Sequence, residues 1–370
     1  MDLKRLIMKI SNKIRIFCVF VGSFGIFSAC SDMYGLPEDR DFISENVNYL
    51  IKVLEPTLGR TSVFTSLVED NSTLPMTFEI VNARYGDGRP VTDIFTKAQT
   101  YEWIQEYDGL EKSLAEIEAK RRLVEKPIFE VDSNGRFILW ASATNAILKP
   151  RPVDTVIKTQ DIRFFDLKVK NSGGTQIIKD FQLIPWREIP YYPSTDINPY
   201  TGGKAPDPQR PKDTTRQDYI IPSYLSNVVG ERTQLNLVNN NIQKDVVVYI
   251  RPFTGGKGNS LRFKFMGADG KFINPKKFNE TKWDMLVHGF NKVENPEYIQ
   301  YDVAYPIPLT NYKTDYANGG TANVNFAYSR IGFGGGRTIG SFGLNFRIYK
   351  KGDWEIVFHF RNENPKFEDE

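Results

Sequence analysis

Cysteine and histidine are almost missing from this sequence. There are two of each in 370 residues: Cys18 and Cys30, His288 and His359. Such an inventory builds neither a Cys/His zinc site nor a disulfide framework. A Ser-His-Asp triad would have to use one of two histidines in apolar company, "MLVHGF" and "IVFHFR", which argues against a hydrolase of that type. The glycine run "IGFGGGRTIG" (331–340) fails as a nucleotide loop. A dinucleotide fingerprint from Gly332 would need glycine at Arg337, and one from Gly334 would need it at Ile339. A P-loop from Gly335 reaches Gly340 but then meets Ser341 instead of lysine. Its flanks read as strands, so the glycines are expected at bulges or close backbone approaches. No repeat of fixed period is present, and no motif implies a cofactor.

A long apolar run is also lacking. The segment Ile16 to Phe27 extends for about a dozen residues, short of the about 20 a spanning helix needs. It follows a basic start (Lys4, Arg5, Lys9, Lys13, Arg15) and ends in Phe27-Ser28-Ala29-Cys30. That order fits a secretory signal closing on a bacterial lipobox, with Phe27 where an aliphatic residue is usual. Cys30 is therefore the expected lipidation site and first residue of the mature protein, anchored without spanning. Residues 1–29 hold five basic side chains and one acid, so their loss turns the formal charge from +3 to about −1. The balance gives no reason to expect a nucleic-acid partner.

What the chain does have is β pattern and aromatics, with 26 Phe and 18 Tyr. Ser31 to about Asp41 reads as a tether, and Ser44 as the N-cap of a short helix to Lys52. From Ser62 on, alternating β-branched and aromatic runs dominate. Turn chemistry falls at Gly86–Gly88, Ser133–Gly135, Asn171–Gly174, Asp269–Gly270 and Gly352–Asp353. One helix stands out, "GLEKSLAEIEAKRR", with Leu110, Leu114 and Ile117 on one stripe and Glu116–Lys120 and Glu118–Arg122 at favourable spacing. Between Pro185 and Pro222 lie eight prolines in 38 residues, which no central strand accommodates. The expectation is mostly β: a signal (1–29), a tether and short helix (30–58), an immunoglobulin-like β-sandwich (59–160), and a second β-sandwich (161–370) carrying the long loop 185–222.

Candidate binding residues are aromatic. Trp186, Tyr191, Tyr192, Tyr200, Tyr219 and Tyr224 lie in or beside the proline-rich loop, and ring faces can stack on sugar rings while Arg187, Asp196 and Asn198 bond hydroxyls. The same residues could instead pin the loop to its own domain. A second group is Trp283, Phe290, Tyr298, Tyr301 and Tyr305. Trp103, Trp140 and Trp354 sit in periodic segments and are expected in the core. Glu297, Asp302 and Asp315 lie near aromatics, but no spacing nominates a glycosidase pair.

The stretches "LPEDRDFISENVNY", "LPMTFEIVNARYGDGRP", "EKSLAEIEAKRR", "YSRIGFGGGR" and "GDWEIVFHFRNENPKFED" resemble a Bacteroidetes family of lipoproteins with a domain of unknown function. Members look like companions of starch-utilization-type glycan-uptake systems at the outer membrane. The resemblance implies lipid-anchored display, glycan as ligand and uptake-complex proteins as partners, and carries over no site residue. Asp154-Thr155-Val156 and Asp213-Thr214-Thr215 resemble the O-glycosylation triplet of that phylum. The functional expectation is a non-catalytic glycan-binding or accessory lipoprotein, with a fimbrial or adhesion subunit and a glycoside hydrolase as alternatives. Only Asp32 follows Cys30 closely, with Glu38, Asp39 and Asp41 further on, so the acidic export signal favours the cell surface modestly.

Overall fold

The computed structural model describes residues 41–150, 162–197, 203 and 217–370. Cys30, Tyr200 and both Asp-Thr triplets lie outside these residues. The described chain is mostly β, with one α-helix.

Two hydrophobic cores organise it. In the first, a four-stranded sheet runs in the order Val53–Leu54, Gly174–Leu183, Arg163–Asn171, Thr77–Tyr85. A three-stranded sheet of Ser62–Phe64, Phe137–Leu139 and Phe129–Val131 shares its core. Phe129, Phe137, Phe165 and Phe181 meet between them at centroid distances of 5.1 to 5.9 Å. Asp166 sits where both neighbouring strands slip register, accepting from Asn82 Nδ2 (3.0 Å), Arg84 Nη1 (3.3 Å) and the Asp180 backbone N–H (3.1 Å). Those bulges place Asn82 and Asp180 at positive φ.

The second core lies between a five-stranded sheet and a smaller one. The five strands are ordered Val246–Pro252, Trp354–Phe360, Ser260–Met266, Tyr298–Val303, Gly289–Asn295. The smaller sheet is built on Arg337–Ile348, which pairs with Ala322–Ile331, Tyr191–Tyr192 and Tyr224–Ser226. Its interior is dense in rings: Phe263, Phe265, Phe278, Phe326, Phe342, Phe346 and Trp354 are all fully buried.

Several sequence expectations need correction. The division near residue 160 is displaced, because Arg163–Asn171 and Gly174–Leu183 pair into the first unit and its core runs from Val47 to Leu183. The second core begins at Tyr191. The helix expected over Ser44–Lys52 is absent: Ser44 donates to Asp70 (2.5 Å), and Asn48–Tyr49 pairs with Leu67–Val68. Tertiary pairing overrides a weak cap signal there. The one α-helix is only Leu114–Ala119, capped by Ser113, whose Oγ accepts from the Glu116 N–H. Arg121 already belongs to a strand, so the expected i,i+4 pairs give way to Glu118–Arg121, Lys120–Glu111 and Arg122–Glu102. Leu110 is left 71% exposed.

The turn expectations hold. Asp132 accepts from the backbone of Asn134 and Arg136 to close one hairpin. Gly135 adopts φ +70° in that turn, where a Cβ would strike Leu67 and Phe78. Asn171 faces Gly174 across another. The latter turn also receives the start of the described chain. The Phe42 carbonyl accepts from Asn171 Nδ2 (2.8 Å) and the Thr73 N–H (3.0 Å), and the Ser44 N–H donates to Ser72 Oγ (2.9 Å). The glycine run is a hairpin tip between Ala322–Ile331 and Arg337–Ile348, with Gly334 and Gly335 at positive φ and Phe333 97% exposed.

Candidate functional site

The aromatics flagged near the proline-rich loop do not form one platform. Trp186 is half-buried, and its backbone is bonded to Pro56 and Leu58, tying the loop's start to the first unit. Tyr191 is buried, with its ring edge-on to Trp354 at 5.7 Å and its hydroxyl on Thr195. It is a core residue rather than a binding face. Tyr192, next along the same short strand, points the other way and is 54% exposed, with the Arg347 guanidinium over its ring at 6.0 Å. Trp283 is half-buried against Phe265 and Phe326, and its carbonyl accepts from Tyr301 Oη at 2.6 Å. Tyr301 and Tyr305 are interior, and burial pushes the Tyr301 phenol well above its ordinary pKa.

The exposed aromatic surface lies elsewhere. Lys97–Trp103 and Arg121–Pro127 form a two-stranded hairpin whose amphipathicity is inverted. Its inner face carries Thr100, Glu102 and Lys126. Thr100 bonds Ser142 (2.8 Å), and Lys126 reaches Glu102 (2.9 Å) and lies over the Trp140 ring at 5.0 Å. Its outer face carries Tyr101 (40% exposed), Trp103 (38%) and Leu123 (55%), with Arg121 opposite Trp103, Gln99 and Glu125 paired one step along, and exposed Lys97 beyond. Trp103, expected in the core, is therefore a surface residue. Strand alternation predicts two faces but does not say which one turns inward.

Buried Arg121 holds these rings. Its guanidinium lies over Tyr101 at 4.1 Å and Trp103 at 5.6 Å. It is gripped by both Glu118 carboxylate oxygens, and its Nη1 donates to the Tyr305 carbonyl at 2.7 Å. One cation thus ties the hairpin to the helix and to the second core. Arg121 pairs with Trp103 and so shares the rings' face, where it covers one side of each ring and leaves the rest of their area exposed.

From Trp103 an aromatic row leads to the junction of the two cores. Trp103 meets Tyr107 at 5.8 Å, Tyr107 meets His288 at 5.5 Å, and His288 stacks on Tyr316 at 4.6 Å with planes 3° apart. The Glu111 carbonyl can only accept, so His288 Nε2 carries the proton it shares there (2.7 Å), and Tyr107 Oη donates to Nδ1 (2.6 Å). Burial raises the Tyr107 phenol well above its ordinary range, which keeps that proton in place. Beside this row lies a pocket of about 360 Å³, counted out to open solvent, walled by Tyr107, His288, Tyr316, Pro306, Pro308 and Leu309. No carboxylate lines it. Glu111 nearby is saturated by Lys120 and the Gly109 N–H. Asp302 is bonded by Lys257 (3.4 Å) and Asn291 (2.9 Å). Among the described residues, no group of His, Cys, Asp or Glu is arranged to hold a metal. The geometry is suited to stacking and hydrogen bonding.

A family model described as a domain of unknown function (DUF5007) matches residues 67–369, well over half of the chain. The chain belongs to the DUF5007 family. No curated protein and no solved structure matches it. The DUF5007 match takes in the hairpin, the pocket and the whole second core, and begins after the strands Val53–Leu54 and Ser62–Phe64.

Proposed function

We propose that the protein is a lipid-anchored, non-catalytic module that captures glycan at the outer membrane, as an accessory of a polysaccharide-uptake system. The observation that carries this reading is the inverted hairpin: two exposed rings held on a buried arginine, beside a pocket without carboxylates. Anchorage rests on the basic start, short apolar run and Cys30 of the sequence. No described helix is long and apolar enough to cross a membrane. Affinity electrophoresis through gels containing a panel of polysaccharides tests capture. Retardation by at least one glycan is expected, and free migration through all of them overturns the reading. Labelled palmitate tests anchorage: wild type incorporates label and Cys30→Ala does not, whereas label retained in the variant removes Cys30 from the account.

A further inference from the structure

We infer that the outer face of the 97–127 hairpin is the glycan site, and that its ligand is a neutral chain of flat, equatorially substituted pyranose units. This rests on the glycan-binding reading above and deepens it. Tyr101 and Trp103 stand two residues apart on one strand, about 7 Å along it, a spacing on the scale of one sugar unit. Both rings are fixed by Arg121, which stands beside them on the same face and which Glu118 and the Tyr305 carbonyl immobilise, so little ordering remains to oppose binding.

Each ring already holds the Arg121 cation on one of its faces, which leaves it a poor receptor for a second one. The exposed ionic side chains on the outer face are Lys97 and Glu125, one of each sign, so the face selects for neither anion nor cation, and Gln99 opposite Glu125 offers both donor and acceptor to hydroxyls. A neutral polyhydroxylated ligand with an apolar C–H face satisfies all of these features. Size points the same way. From Gln99 to Trp103 the two strands present a strip of about 14 by 10 Å. That is far below the roughly 800 Å² per partner of a standard protein interface. A narrow chain fits this strip, and a folded protein surface does not.

The test is affinity electrophoresis of the full chain through gels containing hydroxyethylcellulose, a neutral β-linked glucan, amylopectin, an α-linked one, or the anionic polygalacturonate. Wild type is expected to be retarded most by the neutral β-linked polymer. Trp103→Ala should weaken that retardation at least tenfold. Leu123→Asp, at a position mostly in solvent, should weaken it comparably while leaving the thermal midpoint unchanged. Tyr192→Ala, on a separate exposed surface, should bind as wild type does. If wild type is retarded and both hairpin variants match it, the site is wrong and the glycan reading survives. If polygalacturonate or amylopectin retards best, the ligand class is wrong. If no polymer retards wild type, both the site and the reading fall.

Discussion

The second core and the 97–127 hairpin use the same residue type in opposite ways. Inside the core, Phe265 touches Phe278, Phe326, Phe342 and Phe358 with centroids 4.3 to 6.0 Å apart, and none of its surface reaches water. On the hairpin, Tyr101 and Trp103 rest on a guanidinium and keep a large part of their area in solvent. Burial of the first kind supplies stability through area and dense packing. The second kind gives up that contribution and leaves a rigid surface available to a ligand. Aromatic content alone therefore says little about function. What separates the two uses is which face of the strand turns inward.

The contrast can be broken most strongly at the core. Phe265→Ala should cost about 3–5 kcal/mol, through lost transfer free energy and a residual cavity, with a matching fall in the urea midpoint. Next is Arg121→Ala. Glu118 can rehydrate, but the Tyr305 carbonyl loses its bond to the buried guanidinium, for about 1–3 kcal/mol of stability. Because the rings lose their support, glycan retardation should weaken as well. A variant that loses stability but binds normally would separate Arg121 from the surface beside it.

A smaller effect follows from His359. Burial, with Arg361 close by, holds its imidazole below the ordinary pKa, and its Nδ1 has no hydrogen-bond partner among the described residues. The folded protein thus favours the neutral ring, and the unfolded chain takes up the proton first as pH falls through the ordinary imidazole range. Stability should be complete above that range, decline within it, and level off below the folded value. In His359→Phe the denaturation midpoint should vary less across pH 7 to about 5, and an unchanged slope would assign the dependence to other groups. The smallest effect is expected at Phe333, which is exposed without being pinned. Phe333→Ser should shift stability by no more than about 0.5 kcal/mol and leave glycan retardation unchanged. Loss of retardation there would move the binding surface to the glycine-rich tip.

The fold was legible in the sequence where the signals are local. Asn171–Gly174 and Ser133–Gly135 turn where their chemistry says they should, and period-two alternation marks the strands beside them. Signals failed where a distant partner decided the outcome. Ser44 makes a cap-type bond with the Asn46 N–H, yet no helix follows, because Asn48–Tyr49 pairs with Leu67–Val68. The chain around residue 160 carries no mark that the next two strands return to Thr77–Tyr85. The candidate site was hidden for a related reason. Alternation over "KAQTYEW" looks the same whichever side faces the core, and only the contacts of Thr100 with Ser142 and of Lys126 with Trp140 turn that face toward the first unit. Of the aromatics named beforehand, Tyr191 and Tyr192 are adjacent and yet inside and outside, the same ambiguity at the scale of one residue.

The clamp on Phe42 and Ser44 has a mechanical consequence. Any pull delivered by the chain before residue 41 arrives first at this point. There the load meets Thr73 and Ser72 on one segment and Asn171 on another, with the Asn171 amide bonded to both the Phe42 and Thr73 carbonyls. Force is therefore divided between two turns of the first unit and does not peel a single edge strand. The rings of the hairpin make none of these contacts, so load entering at residue 41 need not pass through them.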